Sequence, residues 1–463
     1  MYYRAMLMLA GWESESNKDL MPAINTLQAI IKHARKNRND HVALIAGLAK
    51  FRVIMANSYL DIAPDSMAEV KELLTAGKVF PRPTDGDTHD LTHLQPVLAV
   101  MLAQFLILAV PLETRRGNVQ ASTEYLNLLH QLMDRSDALN GDAQTAVGRL
   151  QVPLGSFRNP TGSGFVVQIT PASVLFQVTF LVSCIGQADV MGNKPKRLIY
   201  GSEGLSGMTF ACNSTANHLQ HPSTLGLSHA LSIKRELQTV HAELLLDLAG
   251  LYIFSATLKQ AEETLHKAIA YLRNHDMFET YAPRVCLLQA QRYHMLGRRE
   301  KAIACYEACR YISNPGSEIH LVARTSLLLF QLAAPGSDDL GGKASQINEI
   351  KGELYATQSV LYMAAAKMLE AVTTESIQKS KKLLGLGLQS AMTINNNQMR
   401  MLFLVVASSH YRDTMQDSCV TMLKTASTIA RKLGIAQTVK EGEKVEKLGP
   451  TGLGLWVAQR IGM

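Results

Sequence analysis

The sequence predicts an all-α fold built from stacked helical hairpins, and three observations carry that expectation. Of 463 residues, 47% are hydrophobic and only 6% aromatic. An apolar set rich in Leu, Ala and Met favours helices over a sandwich of strands. Apolar residues also recur at helical spacing along most of the chain, broken where turn residues gather. Finally, a pattern of small and large residues in the third quarter returns 41 residues later.

In order from the N-terminus, the chain opens in helical sequence, MYYRAMLMLAGWESES, without a signal-peptide cleavage pattern. No polar capping repeat precedes it, so either further sequence lies upstream or another surface covers that end. Phe80–Asp87 (FPRPTDGD) reads as a loop. Val97–Leu112 is the most apolar run; at about 16 residues, with Gln104 inside, it falls short of the roughly 20 needed to cross a bilayer and reads as a buried helix. Pro153–Gly164 (PLGSFRNPTGSG) reads as a loop, with room for a short strand at Phe165–Ile169. From Pro171 to Val182 the apolar residues are dense enough for a helix packed on both sides. Gly192–Pro222 and Pro335–Gly342 read as further loops, with a long polar stretch over Met208–Gly226. These breaks divide the chain into N-terminal helical repeats (1–150), an irregular middle segment with a buried helix and a polar loop (151–235), and C-terminal repeats (236–463).

The repeat emerges when HAELLLDLAGLYIFSATLKQAEETLHKAIAYL is laid over APRVCLLQAQRYHMLGRREKAIACYEACRYI. Ala249 then matches Ala290, Tyr252 matches Tyr293, Ala261 matches Ala302, Leu265 matches Tyr306 and Ala268 matches Cys309. Small residues let antiparallel helices approach, and the large one beside them fills the groove. This is tetratricopeptide spacing, although that repeat has about 34 residues, so the array is expected to be irregular. Fainter copies occur at Gly11, Ala23 and Leu27; at Ser380, Leu384 and Gly387; and at Ser408, Tyr411, Cys419, Leu423 and Ala426. Their common order predicts an irregular, tetratricopeptide-like superhelix of helical hairpins, an α-solenoid.

Lys and Arg exceed Asp and Glu by 46 to 39, a formal charge of +7. The excess is spread along the chain, which permits nucleic-acid binding without implying it. Six cysteines in so long a chain make no disulfide framework and point to a reducing, intracellular setting. His89 and His93 stand at i and i+4, as zinc ligands on a helix would, but Asp90 replaces the Glu such a hydrolase needs. Asp87 and Asp90 read better as caps and dipole partners of a helix start. Cys305 and Cys309 also stand at i and i+4, and Cys309 holds the repeat's small position, which favours core packing over metal binding. His218, His221 and Cys212 read as members of a solvated loop, and the glycines of TGSGF at Thr161 and TGLGL at Thr451 as turns or helix starts. Asn213-Ser214-Thr215 spells a glycosylation acceptor, without meaning in a chain lacking a secretory signal. No nucleophile, base and orienting residue assemble into a triad, so no enzymatic activity, metal or cofactor is expected. Lys194-Pro195-Lys196-Arg197 is a compact basic stretch able to dock an acidic partner or to lie solvated in a turn.

Three stretches carry a family resemblance: NKPKRLIYGSEGL (Asn193–Leu205), HDMFETYAPRVCLLQAQ (His275–Gln291) and LGLWVAQR (Leu453–Arg460). With the repeat between them, the chain resembles the tetratricopeptide subunit of the cohesin loader in its fungal form. That resemblance implies a non-enzymatic nuclear scaffold, chromatin-associated, that wraps the extended N-terminal segment of the large HEAT-repeat loader subunit, adherin. It further implies support of cohesin loading onto chromatin for sister chromatid cohesion, with no membrane and no small-molecule substrate. Family members usually carry additional helical repeats before the region matching Met1. The alternative is another tetratricopeptide scaffold for short peptides, although no Lys, Asn and Arg carboxylate clamp is recognisable. The residues expected to meet a partner are Tyr281, Arg284 and Arg292 along the repeat helix, and Lys194, Lys196 and Arg197 as an exposed basic set. For Tyr281 and Arg284 the competing reading is a staple at a helix start, with Pro283 in the first turn. Trp456 reads as a lid on the last repeat.

Overall fold

The turns between helices show why this sequence folds into hairpins. In the repeat, Ala256 and Gly297 hold equivalent places and both adopt left-handed backbone, with φ of 56° and 67°. Past each, Thr257 N–H donates to the Tyr252 carbonyl at 2.9 Å and Arg298 N–H to the Tyr293 carbonyl at 3.0 Å. One such bond satisfies a carbonyl the ending helix leaves open and turns the chain back on itself. Asp276, Gly316, Gln358 and Asn395 adopt left-handed backbone at later turns between helices.

The computed structural model describes residues 2–16, 19–57, 59–80, 91, 94–135, 139, 148–187, 195–219, 227–332, 340–412 and 414–433. Among these residues run 18 helices and one β-hairpin. The first helices are α1 (Tyr2–Ser16), α2 (Met21–Lys36), α3 (Asp40–Ala56), α4 (Ala63–Ala76), α5 (Pro96–Arg116) and α6 (Val119–Arg135). The strands β1 (Arg149–Gly155) and β2 (Pro160–Gln168) follow, then α7 (Ala172–Gly186), α8 (Lys196–Leu219) and α9 (Leu227–Phe254). The rest are α10 (Leu258–Asn274), α11 (Phe278–Met295), α12 (Arg299–Ile312), α13 (Glu318–Leu332), α14 (Leu340–Ala356), α15 (Val360–Thr373), α16 (Ile377–Thr393), α17 (Asn397–Ser409) and α18 (Gln416–Lys432). From α10 onward each helix packs on the next, and occasionally on the one beyond it. Nearest-neighbour packing of this kind defines an α-solenoid. The chain forms two compact units, one of residues 1–114, 120–186 and 207–237, the other of 115–119, 187–206 and 238–463.

In the first unit, α1 to α4 stack consecutively and α5 supplies the densest core, with Val97 to Met101, Phe105, Leu106 and Val110 all buried. The 16-residue apolar run is therefore part of a 21-residue helix that continues through Pro111 to Arg116. By length and composition α5 and Ser228–Phe254 are both long and apolar enough to cross a membrane, but most of each is buried within the protein. Aromatic edges lock this core: Phe80 meets Phe105 at 5.8 Å and 90°, and Tyr125 meets Phe105 at 6.0 Å.

Two stretches expected as loops are regular structure. Pro153–Gly164 belongs to the antiparallel hairpin of β1 and β2, so the glycines of Thr161–Phe165 lie in a strand and not at a helix start. Leu150 and Val152 are buried while Arg149 and Gln151 are exposed, a period-two pattern that the neighbouring glycines and prolines hide. The second correction is α8, which runs through Cys212, Asn213, Ser214, Thr215 and His218, all expected in a polar loop. Its glycines do not break it. A Cβ on Gly207 would sit 3.1 Å from the Gln177 amide, so this glycine serves close approach to α7.

The hairpin is clipped to the start of α3. Gly155 N–H donates to Asn39 Oδ1 at 2.8 Å, Phe157 N–H donates to Asp40 Oδ2 at 3.1 Å, and the Phe157 ring meets His41 edge-on at 4.8 Å. His41 is fully buried, and burial pushes its pKa below the usual imidazole value, outweighing the opposing pulls of Asp40 and of a hydrogen bond to the Gly155 backbone. Folded His41 thus stays neutral where the unfolded chain takes a proton. Its contribution is complete above about pH 6.5 and declines as pH falls from there towards the depressed folded pKa. Urea unfolding at pH 7.5 and pH 5.5 should show lower stability at the acid pH. His41→Leu should shrink the difference, although half-buried His130 and His294, shifted the same way, keep part of it.

In the second unit the repeat register is visible in burial. Ala249, Ala290, Ala261, Ala302, Ala268 and Cys309 are all 0% exposed, and Leu265 and Tyr306 are nearly so. The fainter copies behave unevenly. Ala23, Leu27, Ser380, Leu384, Gly387, Ser408 and Ala426 are buried, whereas Gly11 is exposed and Cys419 and Leu423 are half-buried.

Candidate partner-binding surface

The helix faces of the repeat carry charges placed by the same 41-residue register. Glu243 on α9 and Arg284 on α11 occupy equivalent repeat positions and form an ion pair. Tyr281, one turn before Arg284, hydrogen-bonds the same carboxylate; burial first and Glu243 second push its hydroxyl pKa upward. α11 begins at Phe278, so Pro283 lies inside the helix and the staple at a helix start does not form. The Pro283 carbonyl instead accepts the Cys309 thiol at 3.4 Å, and burial raises that thiol's pKa to about 12. Cys309 is an inert packing residue, because the thiolate required for reactivity or metal binding is suppressed.

Arg292 is 6% exposed. Its Nη2 meets Glu262 at 2.5 Å and its Nε donates to the Leu258 carbonyl at 3.4 Å, so it ties α11 to α10 and presents little to a partner. Arg197 forks onto Asp247, with Nε at 3.2 Å from Oδ2, and joins α8 to α9. The expectation of an exposed basic set fails at Arg197 because Asp247 lies opposite. Lys196 is exposed at the first position of α8, and Lys194 lies outside the described residues. Arg324 bridges α13 to Glu349 and Glu353 of α14 in the same manner. Sequence reasoning missed Glu243 and Asp247. The available signal was the repeat overlay itself, which sets Glu243 against Arg284.

The first unit holds an open cavity of about 570 Å³ between α2, α3 and α4, lined by polar and apolar side chains. At its wall Lys50 Nζ donates to Gln28 Oε1 at 2.7 Å and to Glu69 Oε2 at 2.5 Å, while Arg35 stands 3.6 Å from Glu69 and from Glu72. Burial raises the Glu69 pKa, but Lys50 outweighs it and holds the carboxyl below its ordinary value. Among the described residues no three His, Cys, Asp or Glu side chains are grouped to hold a metal ion. His89, His93, His221 and Trp456 lie outside the described residues.

The arrangement offers long helix faces, an internally paired charge ladder and no assembled reactive group among the described residues. A family model described as cohesin loading factor matches residues 2–439. The chain belongs to the cohesin loading factor family. The match spans α1 through α18 and so includes the whole solenoid, but it stops before the Leu453–Arg460 stretch. A role in cohesin loading follows from this membership. Among solved structures the chain is similar to one described as "circular tandem repeat protein with novel repeat topology and enhanced subunit contact surfaces". The identity is 10% and the TM-score 0.23, covering 100% of this chain and 98% of the other. That similarity is too low to bear on function. No curated protein matches the chain.

Proposed function

We propose that this cohesin loading factor is a non-enzymatic adaptor that grips the extended N-terminal segment of adherin, the large HEAT-repeat loader subunit. In this reading it acts in the nucleus and reaches chromatin through that partner and cohesin, supporting sister chromatid cohesion and chromosome segregation. The supporting observation is the family match over residues 2–439 coinciding with stacked helices in each of the two units. Such an array suits an extended ligand: many weak contacts along repeated faces offset the entropy of ordering a flexible segment. Of the residues first expected at the contact, Lys196 keeps an exposed charge, while Tyr281 and Arg284 form a half-buried patch around Glu243. Arg197 and Arg292 serve the scaffold.

Titration of the full chain with the N-terminal segment of adherin, followed by calorimetry, tests the reading. Saturable binding with a negative heat-capacity change is expected, because ordering a segment on helix faces buries apolar surface. Absence of binding by a folded preparation would refute it.

A further inference from the structure

The hairpin of β1 and β2 has an edge that nothing in the described structure covers. Ile169 N–H donates to the Gly148 carbonyl at 2.9 Å, so residues 148 and 169 form a hydrogen-bonded pair. Given the register Arg149↔Gln168, Leu150↔Val167, Gln151↔Val166, Val152↔Phe165 and Pro153↔Gly164, hydrogen-bonded and non-bonded pairs alternate from that point. Leu150↔Val167 and Val152↔Phe165 therefore exchange the ladder bonds. The backbone groups of Gly164, Val166 and Gln168 point away from β1, as do those of Arg149, Gln151 and Pro153 from β2. Pro153 confirms the alternation, since its missing N–H falls where the ladder needs none.

The two edges differ. Pro153 blunts the β1 edge by removing a donor. The β2 edge carries neither proline nor charge between Gly164 and Gln168, and the sheet has two strands among the described residues. Gly164, Val166 and Gln168 are exposed, Val166 at 54%, and their outward backbone groups have no protein partner among the described residues. Donors and acceptors repeating every second residue match one kind of ligand, another extended backbone. Charge narrows the ligand further. From Arg149 to Gln168 the hairpin contains two exposed arginines, Arg149 and Arg158, and no acid.

We propose that the β2 edge receives an extended segment of the partner as a third strand, one with apolar residues at alternate positions and acidic residues flanking them. This rests on the adaptor reading above and specifies how part of the segment is held: by backbone pairing at Val166 and Gln168, with Val166 packing against the incoming side chains and the arginines facing the acids.

Amide hydrogen exchange of the full chain, alone and with peptides tiling the N-terminal segment of adherin, is the direct test. The Val166 and Gln168 amides should slow by about tenfold or more on binding of one peptide, since each gains a hydrogen bond. Val166→Pro removes one outward donor and leaves the β1 ladder intact, because proline is tolerated on an edge. It should weaken that peptide by about tenfold, whereas Val166→Thr, which keeps the donor, should restore binding. Should Val166→Pro unfold, the exchange measurement on the unmutated chain decides alone. Peptide binding without protection at Val166 and Gln168 overturns the strand proposal and leaves the adaptor reading standing. Protection that grows with protein concentration in the absence of peptide overturns it too, since the occupant is then a second copy. Failure of every peptide and of the whole segment to bind overturns both.

Discussion

Phe403→Ala is expected to destabilise the second unit by about 3–5 kcal/mol, the usual cost of emptying a fully buried aromatic site. Phe403 on α17 is 0% exposed, and its ring lies across Gly387 of α16 so closely that a Cβ on Gly387 would stand 2.2 Å from the ring. The glycine exists for that approach. Gly387→Ala should therefore also destabilise, by about 1–3 kcal/mol through overpacking. Combining Gly387→Ala with Phe403→Leu should recover part of the loss, because the smaller side chain vacates the space the methyl needs. Denaturant unfolding of the parent, Gly387→Ala, Phe403→Leu and the double variant gives the coupling. Hydrogen exchange should place the weakening in α15 to α18, because hairpins in a linear array depend chiefly on their neighbours. Uniform loosening across residues 2–135 would contradict that dependence.

Gly387 and Phe403 also show what the sequence makes legible. Ser380, Leu384 and Gly387 read as a degenerate repeat copy, and burial places all three in the core. The same rule of small beside large located the α9 to α12 repeat, because close helix packing imposes a spacing that survives changes of residue type. The hairpin was hidden for the opposite reason. Pro153 and Gly164 serve as edge and close-approach residues inside strands, yet their types are those of loops. Likewise, α8 carries a polar run that resembles a loop, and continuity of its backbone hydrogen bonds cannot be read from residue types alone. For the candidate contacts the difficulty lies in pairing. Arg197, Arg284 and Arg292 look like free charge in one dimension, and only the third supplies Asp247, Glu243 and Glu262. A repeat offset converts such charges into predictable pairs once equivalent positions are compared, as Glu243 and Arg284 illustrate.

A second large effect is expected at the cavity of the first unit. Glu69→Ala should cost about 3–5 kcal/mol, because it strands the Lys50 ammonium, whose side chain is only 11% exposed, with Gln28 as its remaining partner. Replacing both partners with apolar residues, Lys50→Met with Glu69→Leu, should cost far less, since the charge that demands compensation is gone. The pH profile carries a distinct sign. Because Lys50 holds the Glu69 pKa below its ordinary 4.5, the pair's contribution is complete above that value and disappears as pH falls through the lowered folded pKa. The His41 contribution is lost at a higher pH, below about 6.5, so the two can be separated by titrating stability from pH 7.5 to pH 3. If the double apolar variant matches the parent in stability yet binds the adherin segment more weakly, then stability does not account for the pair. The ions would then serve the cavity, keeping Gln28, Arg35 and Glu72 positioned for a polar ligand group.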